Sequence, residues 1–305
     1  MSEQCHSVPS RARLSKEEFV QEYVLKRQPV LIKGALNQWN ALNWTPQYLK
    51  DRSASRLLSY RTESGAATAR FGDLVDLIFS GSLETPAPYL RNIDLRAWLP
   101  ELAADINPLP VYAADNWRSH PLMLNAWPPD VRKELYELFV SRADTAFPYL
   151  HIDYWGMSAF LAQILGEKEV ILFPAEDAPY LYPTAKNPLK SSVDDLDNPD
   201  YEKFPRLQEA RQYRVTLCPG DLLFNPGWWH TTRTIRTSVT LIWAYWNRHE
   251  WRDLINEVHR GIGWKGLPLV AHLRFVAACN RIAPYRRFSG RESATADSAA
   301  SSRTG

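Results

Sequence analysis

The run Pro219-Gly220-Asp221-Leu222-Leu223-Phe224-Asn225-Pro226-Gly227-Trp228-Trp229-His230 decides the reading of the fold. Pro219-Gly220-Asp221 is a turn, because proline presets one corner and glycine and aspartate accept the next. The three apolar residues 222–224 make a short strand, Asn225-Pro226-Gly227 a second turn, and His230 stands at the entrance of a further strand. The same grammar recurs across the second half of the chain. Apolar runs at 138–140, 149–152, 169–173, 214–217, 222–224 and 239–246 alternate with Pro and Gly punctuation. Such a series predicts a mainly β core of the jelly-roll kind with flanking helices.

Outward from that core the period changes. Ser15 and Glu18 match a capping box, with Leu14 and Phe19 placed to staple it, so a helix is expected over 16–26. A strand at 29–32 ends at Gly34, and Thr45 before Pro46 starts a second helix. Leu74, Leu77 and Ile78 have helical spacing. These form the N-terminal α/β additions. Residues 182–212 are polar, with an acidic centre at Asp194, Asp195, Asp197 and Asp200, and read as an insertion over a pocket or a disordered loop. Helical spacing returns with Leu254, Val258 and Ile262, then Leu269, Leu273 and Val276. The expected organisation is a flexible start at 1–13, a main domain at 14–249, a helical segment at 250–288 and a disordered tail at 289–305.

The chain has 305 residues, enough to bury a core without disulfides, and 36 Lys and Arg balance 34 Asp and Glu. No strong field invites nucleic acid or an acidic membrane, and neither is expected as a partner. Three widely spaced cysteines fit a reducing compartment, and the polar start and lack of long apolar runs predict a cytoplasmic protein. Twelve tryptophans and fourteen tyrosines favour large packed sheets or an aromatic-lined pocket.

His151 and Asp153 are two residues apart at an expected strand, so both side chains should point to one face. His230 is the candidate third ligand. Two imidazoles and a carboxylate on one face of an octahedron leave adjacent positions open, as in non-haem Fe(II) oxygenases. A His-x-Asp triplet alone is weak, and the turn-strand-turn grammar before His230 gives it weight.

The combined motifs resemble those of JmjC-like cupin hydroxylases, from the N-terminal helix to Trp246. Gly156-Met157-Ser158-Ala159-Phe160 is similar to the Jumonji lysyl hydroxylase branch, and Asp197-Asn198-Pro199-Asp200-Tyr201-Glu202-Lys203-Phe204-Pro205 to the hypoxia-inducible-factor asparaginyl hydroxylase. The resemblance implies a double-stranded β-helix, the cofactors Fe(II), 2-oxoglutarate and O2, and hydroxylation of an unactivated C–H with release of succinate and carbon dioxide. It implies that Lys168 and Tyr89 grip the far carboxylate of 2-oxoglutarate. A lysine on one strand face with Val170 and Leu172 agrees, since a buried ammonium needs an anion. Pro148, Ala159 and Ala244 stand where the asparaginyl enzyme has a threonine and two asparagines; Thr240 is expected to restore one hydroxyl.

Tyr154, Trp155, Arg91, Asn225 and Trp228 are expected around the substrate. That substrate is a protein or peptide side chain, with a small molecule or a demethylation as alternatives. A metal-binding cupin without oxygenase activity is the rival of another class. The C-terminal helices, through Leu254, Val258, Leu269 and Leu273, offer a homodimer surface.

Overall fold

Two long paired strands organise the protein, for which a computed structural model describes residues 5–62, 65–81, 86–114, 116–117, 136–247 and 249–282. The strands are β1 (Cys5–Ser7), β2 (Ser10–Arg11), β3 (Val30–Ile32), β4 (Leu57–Thr62), β5 (Gly65–Arg70), β6 (Leu90–Asp94), β7 (Glu137–Ser141), β8 (Ser158–Phe173), β9 (Gln212–Leu217), β10 (Leu222–Asn225) and β11 (Trp229–Tyr245). The helices are α1 (Lys16–Glu18), α2 (Pro46–Ser53), α3 (Phe71–Phe79), α4 (Leu95–Trp98), α5 (Trp251–Ile262) and α6 (Leu267–Ile282). Nine strands share one sheet in the order β2-β3-β10-β8-β11-β7-β6, with β9 on β8 and β1 on β9; β4 and β5 form a separate hairpin.

β8 runs antiparallel to β11 from the pair Trp229↔Phe173 to the pair Tyr245↔Ser158. On its other edge β8 takes β10 along its first part and β9 along its second. One strand pair therefore crosses both halves of a cupin jelly roll. The bend between the halves needs Gly166, whose φ is +71° and where a Cβ would lie 2.1 Å from the Thr237 carbonyl oxygen. β11 answers with register shifts between Thr234 and Thr240. The runs expected at 169–173 and 239–246 are the ends of these long strands. Gly166 lets the backbone turn without ending the ladder. The run at 149–152 is not a ladder strand: His151 makes single bridges to His230 and Lys190.

The main core lies between the outer sheet face and the N-terminal helices, with Phe19, Trp39, Trp44, Phe71, Phe160 and Trp243 among its buried residues. Ser15 and Glu18 form both bonds of the capping box before α1, which continues as a π-helical turn at Phe19–Val24. Thr45 caps α2 with Pro46 in its first turn. β1 and β2 lie within the stretch expected to be flexible and pair in parallel with β9 and β3. Residues 1–4, 283–288 and the expected tail 289–305 lie outside the described residues. Among the described residues no helix is long and apolar enough to cross a membrane.

Leu254, Val258 and Leu273 are buried, with Leu269 packed beside them, against Trp117 and Trp246. The face offered for a dimer is therefore spent on packing within the chain, and among the described residues Trp264, Leu267 and Phe275 are the exposed large apolar ones of this region.

Residues 182–212 form the insertion, with Val193, Phe204 and Leu207 among their buried side chains. Ile152 N–H donates to the Leu189 carbonyl and Ser191 N–H to that of Leu150, so the insertion is stitched to the segment carrying His151. Asp197 accepts from Arg214 at 3.1 Å and Arg233 at 2.9 Å, beside Glu169. These groups are half-exposed, so Asp197→Ala should cost about 1 kcal/mol in a urea melt and leave ligand affinity unchanged. A loss of several kcal/mol would mean that the network, not the Phe204 and Leu207 packing, holds the insertion.

Candidate active site

The inner face of the β8–β11 pair lines a cavity of about 610 Å³. His151, Asp153 and His230 meet in its wall, with one donor atom from each within 4.8 Å of the others. Backbone pairing brings the histidines together: His230 N–H donates to the His151 carbonyl at 2.7 Å and His151 N–H to that of His230 at 3.1 Å. His151 is stacked on Phe147, with centroids 4.8 Å apart. Burial, helped by His230, pushes the His151 ring far below its usual pKa, so it stays neutral with a lone pair to give.

His230 is oriented from behind. Its Nδ1 lies 3.0 Å from the Trp228 carbonyl and 3.1 Å from the Asn225 amide nitrogen. Donation from Nδ1–H to Trp228 leaves Nε2 for the cavity. Asn225 also accepts from Trp228 N–H, and Trp228 Nε1 donates to the Arg27 carbonyl. Neither Asn225 nor Trp228 lines the cavity, correcting their expected place around a substrate. They brace the turn that delivers His230. Arg91 does not line it either; its guanidinium lies over the Phe147 ring at 5.6 Å.

Tyr154 and Trp155 are at the cavity wall. Trp155 adopts φ 55°, a left-handed conformation costly for a bulky residue and typical of functional loops. Tyr154 is 65% exposed. Sequence reasoning missed Phe139, Phe147, Tyr149, Met157 and Ile242 in the lining. Phe139 and Ile242 alternate inward like residues of any core strand, and Phe147, Tyr149 and Met157 lie in loops without periodicity, so no signal singled them out. Ala159 and Ala244, which face each other across the ladder, also line it.

Lys168 lies deep in the barrel, 1% exposed, with no hydrogen-bond partner for its ammonium. Its nearest charge-stabilising groups are the faces of Tyr89, at 5.6 Å, and Phe139, at 5.9 Å. Burial alone pushes its pKa down from 10.5 to about 7. Tyr89 lines the cavity, and burial raises its phenol to about 12. Thr240, expected here, is elsewhere: its hydroxyl donates to Gln163 at 2.8 Å, and Gln163 donates to the carbonyls of Leu165 and Gly166 at the bend. Thr240 thus belongs to the hinge of the long strands.

Residues 15–253 match the cupin-like domain family, Cupin_8. The chain belongs to this family. This cupin-like chain is 30% identical over 251 residues to the tRNA wybutosine-synthesizing protein 5 of Gallus gallus, across 73% of its own length and 71% of the relative. It is 28% identical to the lysine-specific demethylase 8 of Danio rerio, over 76% of this chain and 56% of that one. It is also 28% identical to JmjC domain-containing protein D of Dictyostelium discoideum, over 74% of this chain and 53% of that one. The chain thus spans about half the length of the latter two. The jelly-roll core, the JmjC relatives and the His-Asp-His group put it in an oxygenase family.

Proposed function

We propose that the protein is an Fe(II)- and 2-oxoglutarate-dependent oxygenase that hydroxylates a C–H on a protein or peptide side chain. In this reading His151, Asp153 and His230 hold the iron, and Lys168 with Tyr89 holds the far carboxylate of the keto acid. The observation that carries it is Lys168. A metal-binding cupin without a keto acid has no use for an unpaired ammonium at the bottom of its barrel, and such a group is costly unless an anion arrives.

The donor set fits the metal, with two neutral imidazoles and one carboxylate converging and the cavity open on their other side. When bound, iron and keto acid supply the oxidising chemistry, consuming dioxygen and releasing succinate and carbon dioxide. The chain itself binds, orients and excludes water. Lys168 fixes one end of the co-substrate; Phe147, Tyr149, Met157 and Trp155 keep the space near the donors dry. Residues 14–249 form the catalytic domain in this reading, with α5 and α6 buttressing Trp155 and Met157 from behind.

Purified protein with Fe(II) and ascorbate should convert 2-oxoglutarate to succinate, with His151→Ala as the inactive control. Absence of keto-acid binding in a calorimetric titration with Mn(II) would sink the reading. Product mass separates its variants. One added oxygen on a protein or peptide supports it, and one on a metabolite makes the enzyme a small-molecule hydroxylase. Formaldehyde indicates demethylation. The chicken relative's name makes tRNA a further substrate to assay, against the expectation from net charge that no nucleic acid binds.

A further inference from the structure

Within the proposed co-substrate site, one cavity-lining hydroxyl has no part in the expectations from sequence. Thr232 is two residues beyond His230 on β11, so the period of the strand turns it to the same inner face. It lines the cavity, is 7% exposed, and lies opposite Val170, between the His230↔Leu172 and Thr234↔Lys168 pairs. Its side chain is a hydrogen-bond neighbour of the Tyr89 phenol. Its carbonyl accepts from Phe147 N–H at 2.7 Å, which pins the backbone at this point.

Asn92, Glu137, Tyr149 and Thr231 also bring polar groups to the lining. Ala159 and Ala244 bring no donor, and Thr240 is committed to Gln163. Thr234 is committed to Ser141, whose hydroxyl lies 2.6 Å away. A carboxylate reaching Lys168 has four lone-pair sites, and the three ammonium N–H groups with the Tyr89 O–H meet them only if the phenol is aimed at it.

We propose that Thr232 is a positioning residue for the keto acid, its hydroxyl donating to the Tyr89 phenol oxygen and so aiming the phenol's own O–H, beside Lys168, at the distal carboxylate. It takes the place that sequence reasoning gave to Thr240. The inference rests on the oxygenase reading above.

The test is 2-oxoglutarate affinity in the presence of Mn(II), by calorimetry, for Thr232→Val, Thr232→Ser and Thr240→Val. A hydrogen bond between two neutral hydroxyls is worth about 0.5–1.5 kcal/mol, so Thr232→Val should weaken binding about 2- to 10-fold. Thr232→Ser should bind as wild type does, because it keeps the hydroxyl, and Thr240→Val should bind normally while melting lower. In turnover the Thr232→Val defect should fall on the KM for 2-oxoglutarate more than on kcat. Normal binding by Thr232→Val, or a Ser variant as weak as Val, overturns the inference and leaves the oxygenase reading intact. Wild-type protein that binds no 2-oxoglutarate overturns both.

Discussion

Lys168→Met should raise the melting temperature of the ligand-free protein and at the same time abolish its affinity for 2-oxoglutarate. The ammonium is buried without a partner, and burial moves its pKa from 10.5 to about 7. Each unit of such a shift is about 1.4 kcal/mol, so the charged lysine costs the empty protein on the order of 5 kcal/mol, or roughly 10–15 °C. Methionine fills the same channel without the charge. The sign with pH follows from the lowered pKa. Above pH 10.5 the lysine is neutral in both folded and unfolded chains, and the penalty is absent. It grows as pH falls from 10.5 to about 7, where the unfolded chain binds the proton and the folded one resists it, and is constant below. Wild type should therefore gain stability relative to Lys168→Met between pH 7 and 10. Saturating 2-oxoglutarate with Mn(II) at neutral pH should reverse the order, since only wild type gains from ligand. A Met variant less stable than wild type at pH 7 without ligand would show that Lys168 has a partner in the folded protein.

Gly227→Ala should cost about 100-fold in Mn(II) affinity, measured by calorimetry or electron paramagnetic resonance. Gly227 has φ +73°, and a Cβ there would lie 2.5 Å from the Gly156 carbonyl oxygen and 3.2 Å from that of Met157. Both obstacles are backbone, so no side chain can swing aside. The turn before His230 and the loop after Asp153 must then separate, and a displacement of this size at a metal site is worth up to about 100-fold. The left-handed conformation adds roughly 1–2 kcal/mol of strain. Gly65→Ala is the control: its φ is also positive, at +135°, but nothing lies within 4 Å of a Cβ, so it should lower stability slightly and leave metal affinity alone. Wild-type Mn(II) affinity in Gly227→Ala would mean that the two loops do not share one frame.

Sequence carried the groups whose chemistry is rare. His151, Asp153 and His230 were legible only in combination, through the turn-strand-turn grammar before His230, and Lys168 only through the family resemblance. It also carried local signals such as the Ser15 capping box and the Thr45-Pro46 start, which need only neighbouring residues. What it did not carry depends on distant partners. Thr240 and Thr232 are equivalent as residues in a β strand, and only the pairing with Gln163 at the Gly166 bend removes one from the cavity. Asn225 and Trp228 sit in the motif that delivers His230, yet the turn folds them behind the imidazole. β1 and β2 are short, polar edge strands whose pairing no periodicity reveals. The apolar face of α5 and α6 was legible as a face; what covers it was not.

The length of β8 and β11 has a consequence for what the cavity can accept. Lys168 is paired opposite Thr234, four residues along β11 from His230, so the two ends of the site are about 13 Å apart along one strand. That spacing is a ruler cut in backbone pitch. Inserting one residue between them would turn Lys168 or His230 out of the barrel, and inserting two would restore the facing but add roughly 7 Å. Under the proposed keto-acid reading, descendants of this scaffold can therefore change the span of the anion they hold only in coarse steps, and finer tuning must come from side chains, Thr232 and Tyr89 first among them.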